Sequence, residues 1–239
     1  MKLNYWAPKF HGFDPFEKTV TSHPDYSSPK GNKSAHRALF RIQKALPGKP
    51  AADLPFSVDI PVRYSQDLYH WDTGFLCDYV VRIHHDYIQK ALPVLVALGK
   101  NVIGLHGKTR PETLAILDQF NTLASDLKLH LFKEEQLIFP YIRSLACLEK
   151  QGKTIDITKD GPLYKPMRSL EEEHGIFEAG MEAIRKLSHD FTVPVQTSPA
   201  FSAWYRTLSA FREDLNQHVQ LESRVLFPKA IALQRRLTA

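Results

Sequence analysis

The chain has little cysteine, no dense block of charge and no long uninterrupted apolar run. Its two cysteines, Cys77 and Cys147, exclude a disulfide framework and a zinc-ribbon pattern. The first residues, 1–8, form no apolar leader, and no run approaches the roughly 18 apolar residues of a membrane span. The 31 basic and 26 acidic residues give a net charge of +5 without a basic stripe or a nucleic-acid-reading motif. These absences predict a cytoplasmic protein that binds neither nucleic acid nor membrane.

Sustained alternation of apolar and polar residues, the mark of β-strands, is also missing. With 43% hydrophobic and 24% charged residues, the chain can bury a sizeable core. Helical periodicity runs from about residue 65 onward and predicts four long helices joined by short polar connections, at about 72–98, 111–148, 166–189 and 199–237. The pattern therefore predicts an all-α fold, an antiparallel four-helix bundle over residues 67–239.

Residues 1–66 differ from the rest of the chain in composition and in periodicity. They contain eight of the 16 prolines and no cysteine. A short amphipathic helix is predicted at 35–46, and the remainder reads as loop or extended chain. We therefore expect residues 1–66 to be an irregular, partly helical N-terminal extension of the bundle, with residues 47–66 extended over its surface.

The eleven histidines are the unusual feature of the composition, and an internal repeat places several of them. The pattern His-x-x-x-Glu, followed by Phe-Pro, occurs at 130–140 and again at 218–228, with an offset of 88 residues. Upstream of each copy, His85 corresponds to His174 at an offset of 89. Each half of the repeat is thus a helix–loop–helix unit. Together the halves supply four histidines and two glutamates: His85, His130, Glu134, His174, His218 and Glu222.

The spacing of the repeated pair favours metal binding over a surface ion pair. Residues i and i+4 lie on one helical face, so an imidazole and a carboxylate can reach one metal ion together. Apolar neighbours surround both copies, and a carboxylate in apolar surroundings needs a cation. Four imidazoles and two bridging glutamates leave open positions on two six-coordinate ions. A nitrogen-rich, thiolate-free set favours two iron ions with an oxo or hydroxo bridge, and manganese is the less favoured alternative.

These motifs resemble those of the hemerythrin-like proteins, and within them the repair-of-iron-centres family of di-iron proteins. The resemblance covers residues 67–237 and is carried by 75–86 with Leu92-Pro93, 130–140, Glu173-His174 and 218–228. It implies that His85, His130, His174 and His218 bind iron and that Glu134 and Glu222 bridge the two ions. It also implies a role in nitrosative or oxidative stress, in which iron is delivered to damaged iron–sulfur clusters. Classical hemerythrins instead bind dioxygen reversibly.

The chain departs from these families at three points. The repair proteins usually begin with a domain that carries an adjacent cysteine pair, which residues 1–66 lack. Oxygen carriers have a fifth histidine one turn along the third helix, where this chain has Glu178. This glutamate is an additional ligand, a hydrogen-bond acceptor near the metals or a solvated charge. His84 competes with His85 for one ligand role, although the repeat register favours His85. His106, placed at the first inter-helix turn, is either an extra group near the metals or an ordinary loop histidine.

Three functions are compatible with these residues. The first is a non-haem di-iron protein of stress response and cluster repair, with nitric oxide, dioxygen or hydrogen peroxide as small ligands and iron–sulfur proteins as partners. The second is a module that binds or senses dioxygen or nitric oxide without turnover. The third is a helical scaffold that holds no metal. Whether the protein is an enzyme is left open by the sequence.

Overall fold

The structure is a computed structural model that describes residues 67–156 and 161–238. The predicted helix at 35–46 and the whole extension 1–66 lie outside the described residues. The division of the chain at residue 66 therefore stays a prediction. All structural statements below concern the described part.

The described chain forms a helical bundle, which confirms the predicted all-α fold. Its helices are α1 (Asp67–His70), α2 (Thr73–His106), α3 (112–150), α4 (Tyr164–Leu187) and α5 (199–237). Three long helices contain a five-residue π-helical segment: Val81–His85 in α2, Glu134–Ile138 in α3 and Glu222–Leu226 in α5. Within residues 67–156 and 161–238, the β-type pairing consists of one isolated bridge between Ile155 and Thr238.

Helix α2 is longer than the sequence predicted. Pro93 lies inside it, yet the helix continues to His106 and ends where the Gly107 amide bonds the Ile103 carbonyl at 2.8 Å. Pro93 is exposed, so water can solvate the carbonyl that the missing amide leaves free. His106 is consequently the last helical residue and not part of a loop.

The helix starts follow local capping chemistry. The Asp72 carboxylate accepts hydrogen bonds from the amides of Gly74 and Phe75 at 2.9 and 3.2 Å and so caps α2. Ser198 caps α5 through its hydroxyl, and Pro199 occupies the first helical position, where no amide donor is needed. These caps satisfy backbone donors that a helix start would otherwise leave unpaired.

The π segments explain how the two Phe-Pro motifs fit inside helices. In α3 the Phe139 amide bonds the Glu134 carbonyl, and in α5 the Phe227 amide bonds the Glu222 carbonyl, both five residues back. A proline in a regular α-helix clashes with the carbonyl four residues before it. The wider turn immediately before Pro140 and Pro228 accommodates each ring. Each Phe-Pro motif is therefore accommodated by a wide turn that begins at the preceding glutamate.

The apolar core consists of two clusters, one in each half of the bundle. One joins the later part of α2 to the early part of α3, the later part of α4 and the early part of α5, with Leu95, Phe120 and Phe211 as members. The other joins the opposite ends of the same helices and includes Leu76 and Leu233. All six predicted metal ligands lie between the two clusters, in a buried polar layer.

Helix α2 is long and apolar enough to cross a membrane by length and composition alone, with mean hydropathy 1.3 over its most apolar window. The sequence showed no uninterrupted apolar run there because charged and polar residues interrupt it. Its side chains Ile88, Leu92 and Leu95 are fully buried in the bundle core. Only 33% of that window is buried in the bundle, and one such helix is by itself weak evidence of a membrane span.

Gly99 allows three helices to approach closely, which makes it a test of the packing. A methyl group there would lie 2.8 Å from Leu117 and 2.9 Å from Trp204. We expect Gly99→Ala to lower the free energy of unfolding by about 1–3 kcal/mol, the usual cost of overpacking. Gly104→Ala is the matched control on the same helix, since nothing lies within 4 Å of its added carbon. It should leave stability unchanged or raise it, and equal losses in denaturant unfolding would contradict the packing.

Candidate metal centre

The bundle brings the six sequence-predicted ligands together in one buried cluster. All six are at most 3% exposed. Their ligand atoms form two overlapping groups, each with atoms within 4.8 Å of one another: His85 and His218 with both glutamates, and His130 and His174 with the same glutamates. Both groups could hold a metal ion, and Glu134 and Glu222 belong to both.

The four imidazoles present their Nε2 atoms to the centre of the cluster. The Nε2 atoms of His85 and His218 lie 3.1 Å apart, and those of His130 and His174 also lie 3.1 Å apart. The rings belong to four different helices, so the arrangement depends on the whole bundle. Two nitrogens converging on one point is the arrangement that a shared cation requires.

Each carboxylate spans the two groups, with one oxygen directed to each. Glu134 Oε1 lies 3.2 Å from His130 Nε2, and its Oε2 lies 3.3 Å from His85 Nε2. Glu222 repeats this arrangement, with Oε1 3.1 Å from His218 Nε2 and Oε2 3.2 Å from His174 Nε2. Each carboxylate thus faces both histidine pairs, and the two halves of the sequence repeat contribute in the same way.

The donor atoms fit a metal better than they fit one another. Although the nitrogens are close, none of the four oxygens of Glu134 and Glu222 has a hydrogen bond of acceptable geometry among the described residues. Two fully buried carboxylates beside each other repel and are poorly compensated by neutral rings. Divalent cations satisfy such oxygens and nitrogens together, so the residues present fit the cation binding that this donor set suggests.

Protonation in the metal-free cluster follows from burial and from the neighbouring charges. Burial and Glu222 would raise the pKa of Glu134, but the charge on His130 and the polar contacts of His130 and His85 together lower it. Burial would likewise raise the pKa of Glu222, yet the nearby His218 and His174 hold it well below its usual value. Burial opposes the charging of His85, whereas Glu134 and Glu135 raise the pKa of that ring well above 6.5. The raised pKa values of His85 and His130 favour protons on these two rings, which offset the charge of the carboxylates when no metal is bound.

Three of the four imidazole rings have a side-chain hydrogen-bond partner at Nδ1, the nitrogen that points away from the centre of the cluster. His85 Nδ1 lies 2.8 Å from Glu135, His130 Nδ1 2.9 Å from Glu173, and His174 Nδ1 3.1 Å from the Ser223 hydroxyl. Such outer partners hold the tautomer in which Nε2 is free for a metal. The sequence did not reveal them, although Glu135 and Glu173 each adjoin a predicted ligand.

The repeated phenylalanines also contact the cluster. Phe139 stacks on His85 with ring centroids 5.6 Å apart, and Phe227 stacks on His174 at 5.9 Å. Both phenylalanines are almost completely buried. The phenylalanine of each Phe-Pro motif thus covers one face of a clustered histidine, His85 or His174, with an apolar ring that excludes water.

The three additional candidates lie outside the two ligand groups. His84 is buried next to the cluster, but its Nδ1 pairs with Asp214 at 3.1 Å. His106 lies at the far end of α2, about 30 Å along the helix axis from His85, and its Nε2 accepts a hydrogen bond from the Ser198 amide. Glu178 is exposed on α4. The structure thus favours His85 over His84 and brings neither His106 nor Glu178 to the centre.

A helical bundle with a buried histidine–glutamate cluster between its halves defines a class of metal-binding proteins. The family model described as the hemerythrin HHE cation binding domain matches residues 78–230, a range that contains all six clustered residues. The match covers more than half of the chain. The chain belongs to the hemerythrin HHE cation-binding family.

Its relatives include proteins named for iron–sulfur cluster repair. It is 28% identical over 156 residues to the "Probable iron-sulfur cluster repair protein" of Haemophilus influenzae, covering 65% of this chain and 64% of the relative. It is 28% identical over 158 residues to the iron-sulfur cluster repair protein YtfE of Yersinia pseudotuberculosis, covering 65% of each. The homologous YtfE of Dickeya chrysanthemi is 27% identical over 164 residues. The match spans just under two thirds of the length of the first two relatives.

Proposed function

We propose that this chain is a non-haem di-iron protein that repairs iron–sulfur clusters after nitrosative or oxidative damage by donating iron. The observation that carries the proposal is the pair of carboxylates, Glu134 and Glu222, each with one oxygen directed to each histidine pair. Two ligand groups that share both carboxylates favour two ions over one. The names of the relatives support the choice of iron and of repair.

The roles of the residues follow from their positions. His85 and His218 would hold one ion and His130 and His174 the other, with Glu134 and Glu222 bridging. Bound iron would supply redox chemistry and open coordination positions for nitric oxide, dioxygen or hydrogen peroxide. The stacked rings of Phe139 and Phe227 exclude water, and the Nδ1 partners keep the imidazoles oriented. Protonation of His85 and His130 would compete with iron for their Nε2 atoms.

Metal content is the first test of this function. Anaerobic reconstitution with ferrous iron is expected to give about two irons per chain by mass spectrometry, with a near-ultraviolet charge-transfer band after exposure to air. The loaded protein should then restore activity to an iron–sulfur enzyme damaged by nitric oxide. Metal-free protein and an equal amount of free ferrous iron are the controls. Little or no iron after reconstitution would instead support the metal-free scaffold.

A groove between α4 and α5 supports the alternative of ligand binding or sensing without turnover. Its volume is about 350 Å³, and its floor contains Phe177, Met181 and Val219. The Phe177 ring lies 5.0 Å from the His130 ring, so one side chain separates the groove from the cluster. An apolar floor favours passage of small neutral molecules such as dioxygen or nitric oxide.

The two functions are separated by kinetics. Steady consumption of nitric oxide or peroxide in the presence of a reductant would favour stress-response turnover, whereas stoichiometric binding alone would favour sensing. If the groove is the entry path, Met181→Trp should slow ligand binding several-fold in stopped-flow measurements without changing metal content. Ile176→Trp, on the exposed face of the same helix, is the control. Equal binding rates in the two variants would exclude the groove as the path.

A further inference from the structure

His218 differs from the other three clustered histidines in its outer nitrogen. The Nδ1 atoms of His85, His130 and His174 each have a side-chain partner within 3.1 Å. His218 Nδ1 is fully buried and has no hydrogen-bond partner in the part of the chain that the structure describes. A buried donor without an acceptor is costly, so this nitrogen calls for a partner in the loaded state.

An unused acceptor lies one helical turn away. Asp214 precedes His218 by four residues on α5, so both side chains lie on the same helical face. Asp214 Oδ1 is 3.1 Å from His84 Nδ1, whereas its Oδ2 is buried and without a partner among residues 67–156 and 161–238. The His84 ring in turn lies beside the His218 ring, with centroids 5.9 Å apart.

We propose that Asp214 is a positioning residue of the metal centre, which accepts a hydrogen bond from His218 Nδ1 through Oδ2 while His84 holds Oδ1. The inference rests on the proposed function, because a metal on Nε2 forces the ring proton onto Nδ1 and makes that nitrogen a donor. His84, which belongs to neither ligand group, would then orient the Asp214 side chain. It fixes the carboxylate so that its second oxygen is available to the ligand.

The test compares ferrous-iron affinity in Asp214→Asn with that in Glu213→Gln. Loss of an outer partner of a metal-bound histidine typically costs about 10–100-fold in affinity, and we expect Asp214→Asn to fall in this range. Glu213→Gln removes the same charge from the exposed neighbouring residue and should bind iron like the wild type. Asp214→Glu should recover part of the affinity, because a carboxylate acceptor is restored.

A spectroscopic measurement on the wild type keeps the proposal testable if Asp214→Asn fails to fold. In the cobalt-loaded protein, each coordinated ring should give one shifted, exchangeable Nδ1 proton signal, four in all by the ligand groups. A His218 proton that exchanges with solvent as slowly as the other three supports the hydrogen bond. Rapid exchange, or wild-type affinity in a folded Asp214→Asn, would overturn it. A wild type that binds no metal would overturn the proposed function instead.

Discussion

Replacement of both Glu134 and Glu222 by glutamine is expected to reduce bound iron from about two ions per chain to none. Glutamine preserves the volume of each side chain but removes both negative charges and the anionic oxygens that face the four Nε2 atoms. A divalent cation would then meet a neutral, poorly coordinating pocket. Metal analysis after anaerobic reconstitution measures the loss directly.

Single replacements distinguish a bridging carboxylate from a terminal one. Because Glu134 directs one oxygen to each histidine pair, Glu134→Gln should weaken binding of both ions. His130→Gln alters only one pair and should leave one ion bound more tightly than the other. Equal, stepwise loss of a single ion in both variants would show that the carboxylates do not bridge.

Glu178→Gln is the matched control for the double replacement. Its carboxylate is exposed and does not belong to the ligand groups, so iron content should be unchanged. Misfolding of the double variant is checked by thermal unfolding without metal. The double variant should still unfold cooperatively, although it loses the stabilisation that the ionised carboxylates gain from protonated His85 and His130. Retention of two irons by the double variant would refute the assignment.

The clustering of the six candidate ligands was predictable from the sequence because they repeat in register within short helical motifs. His130 with Glu134 and His218 with Glu222 are local pairs, and two copies mark a shared role. The partners of the outer nitrogens carry no such signal. Glu135 contacts His85 across 50 residues, and Glu173 contacts His130 across 43. Such contacts depend on how four helices dock, which local periodicity does not encode.

The positions of the long helices were predictable because they follow from the pattern of apolar side chains. Helix ends and wide turns were not, because they depend on backbone hydrogen bonds. The four long helices were located, yet α2 runs eight residues beyond its predicted end, from residue 98 to His106. A proline inside a helix disturbs its hydrogen bonding, but Pro140 and Pro228 do not reveal the π turns that begin at Glu134 and Glu222. π turns are frequent at functional sites because they alter the direction of one turn without ending the helix. Their position depends on the local balance of hydrogen bonds and ring sterics.

The stability of the metal-free protein should fall as the pH rises above about 6.5. The folded-state pKa values of His85 and His130 are raised, so the folded protein binds more protons than the unfolded chain between 6.5 and those raised values. Stability from these protons is complete below 6.5 and is lost as the pH rises through the folded pKa values, at up to about 1.4 kcal/mol per pH unit for each histidine. His218, whose pKa is lowered, has the opposite effect at lower pH. Its lowered pKa makes the free energy of unfolding rise with pH, but only up to about pH 6.5.

Bound metal should reverse this dependence. The ion replaces the protons on His85 and His130, so the stabilisation by ferrous iron should grow over the same pH range in which the metal-free protein weakens. At free metal 100 times the dissociation constant, each site adds about 2.7 kcal/mol. Thermal unfolding with and without ferrous iron from pH 6 to 9 measures both curves.

The Glu134→Gln and Glu222→Gln double variant is the control, because it lacks the metal site and also two of the carboxylates that raise the histidine pKa values. Its response to iron should disappear, and its decline with pH should become shallower, since Glu135 and Glu173 still pair with the two rings. A wild-type melting temperature that is insensitive to iron at every pH would contradict the metal-linked account.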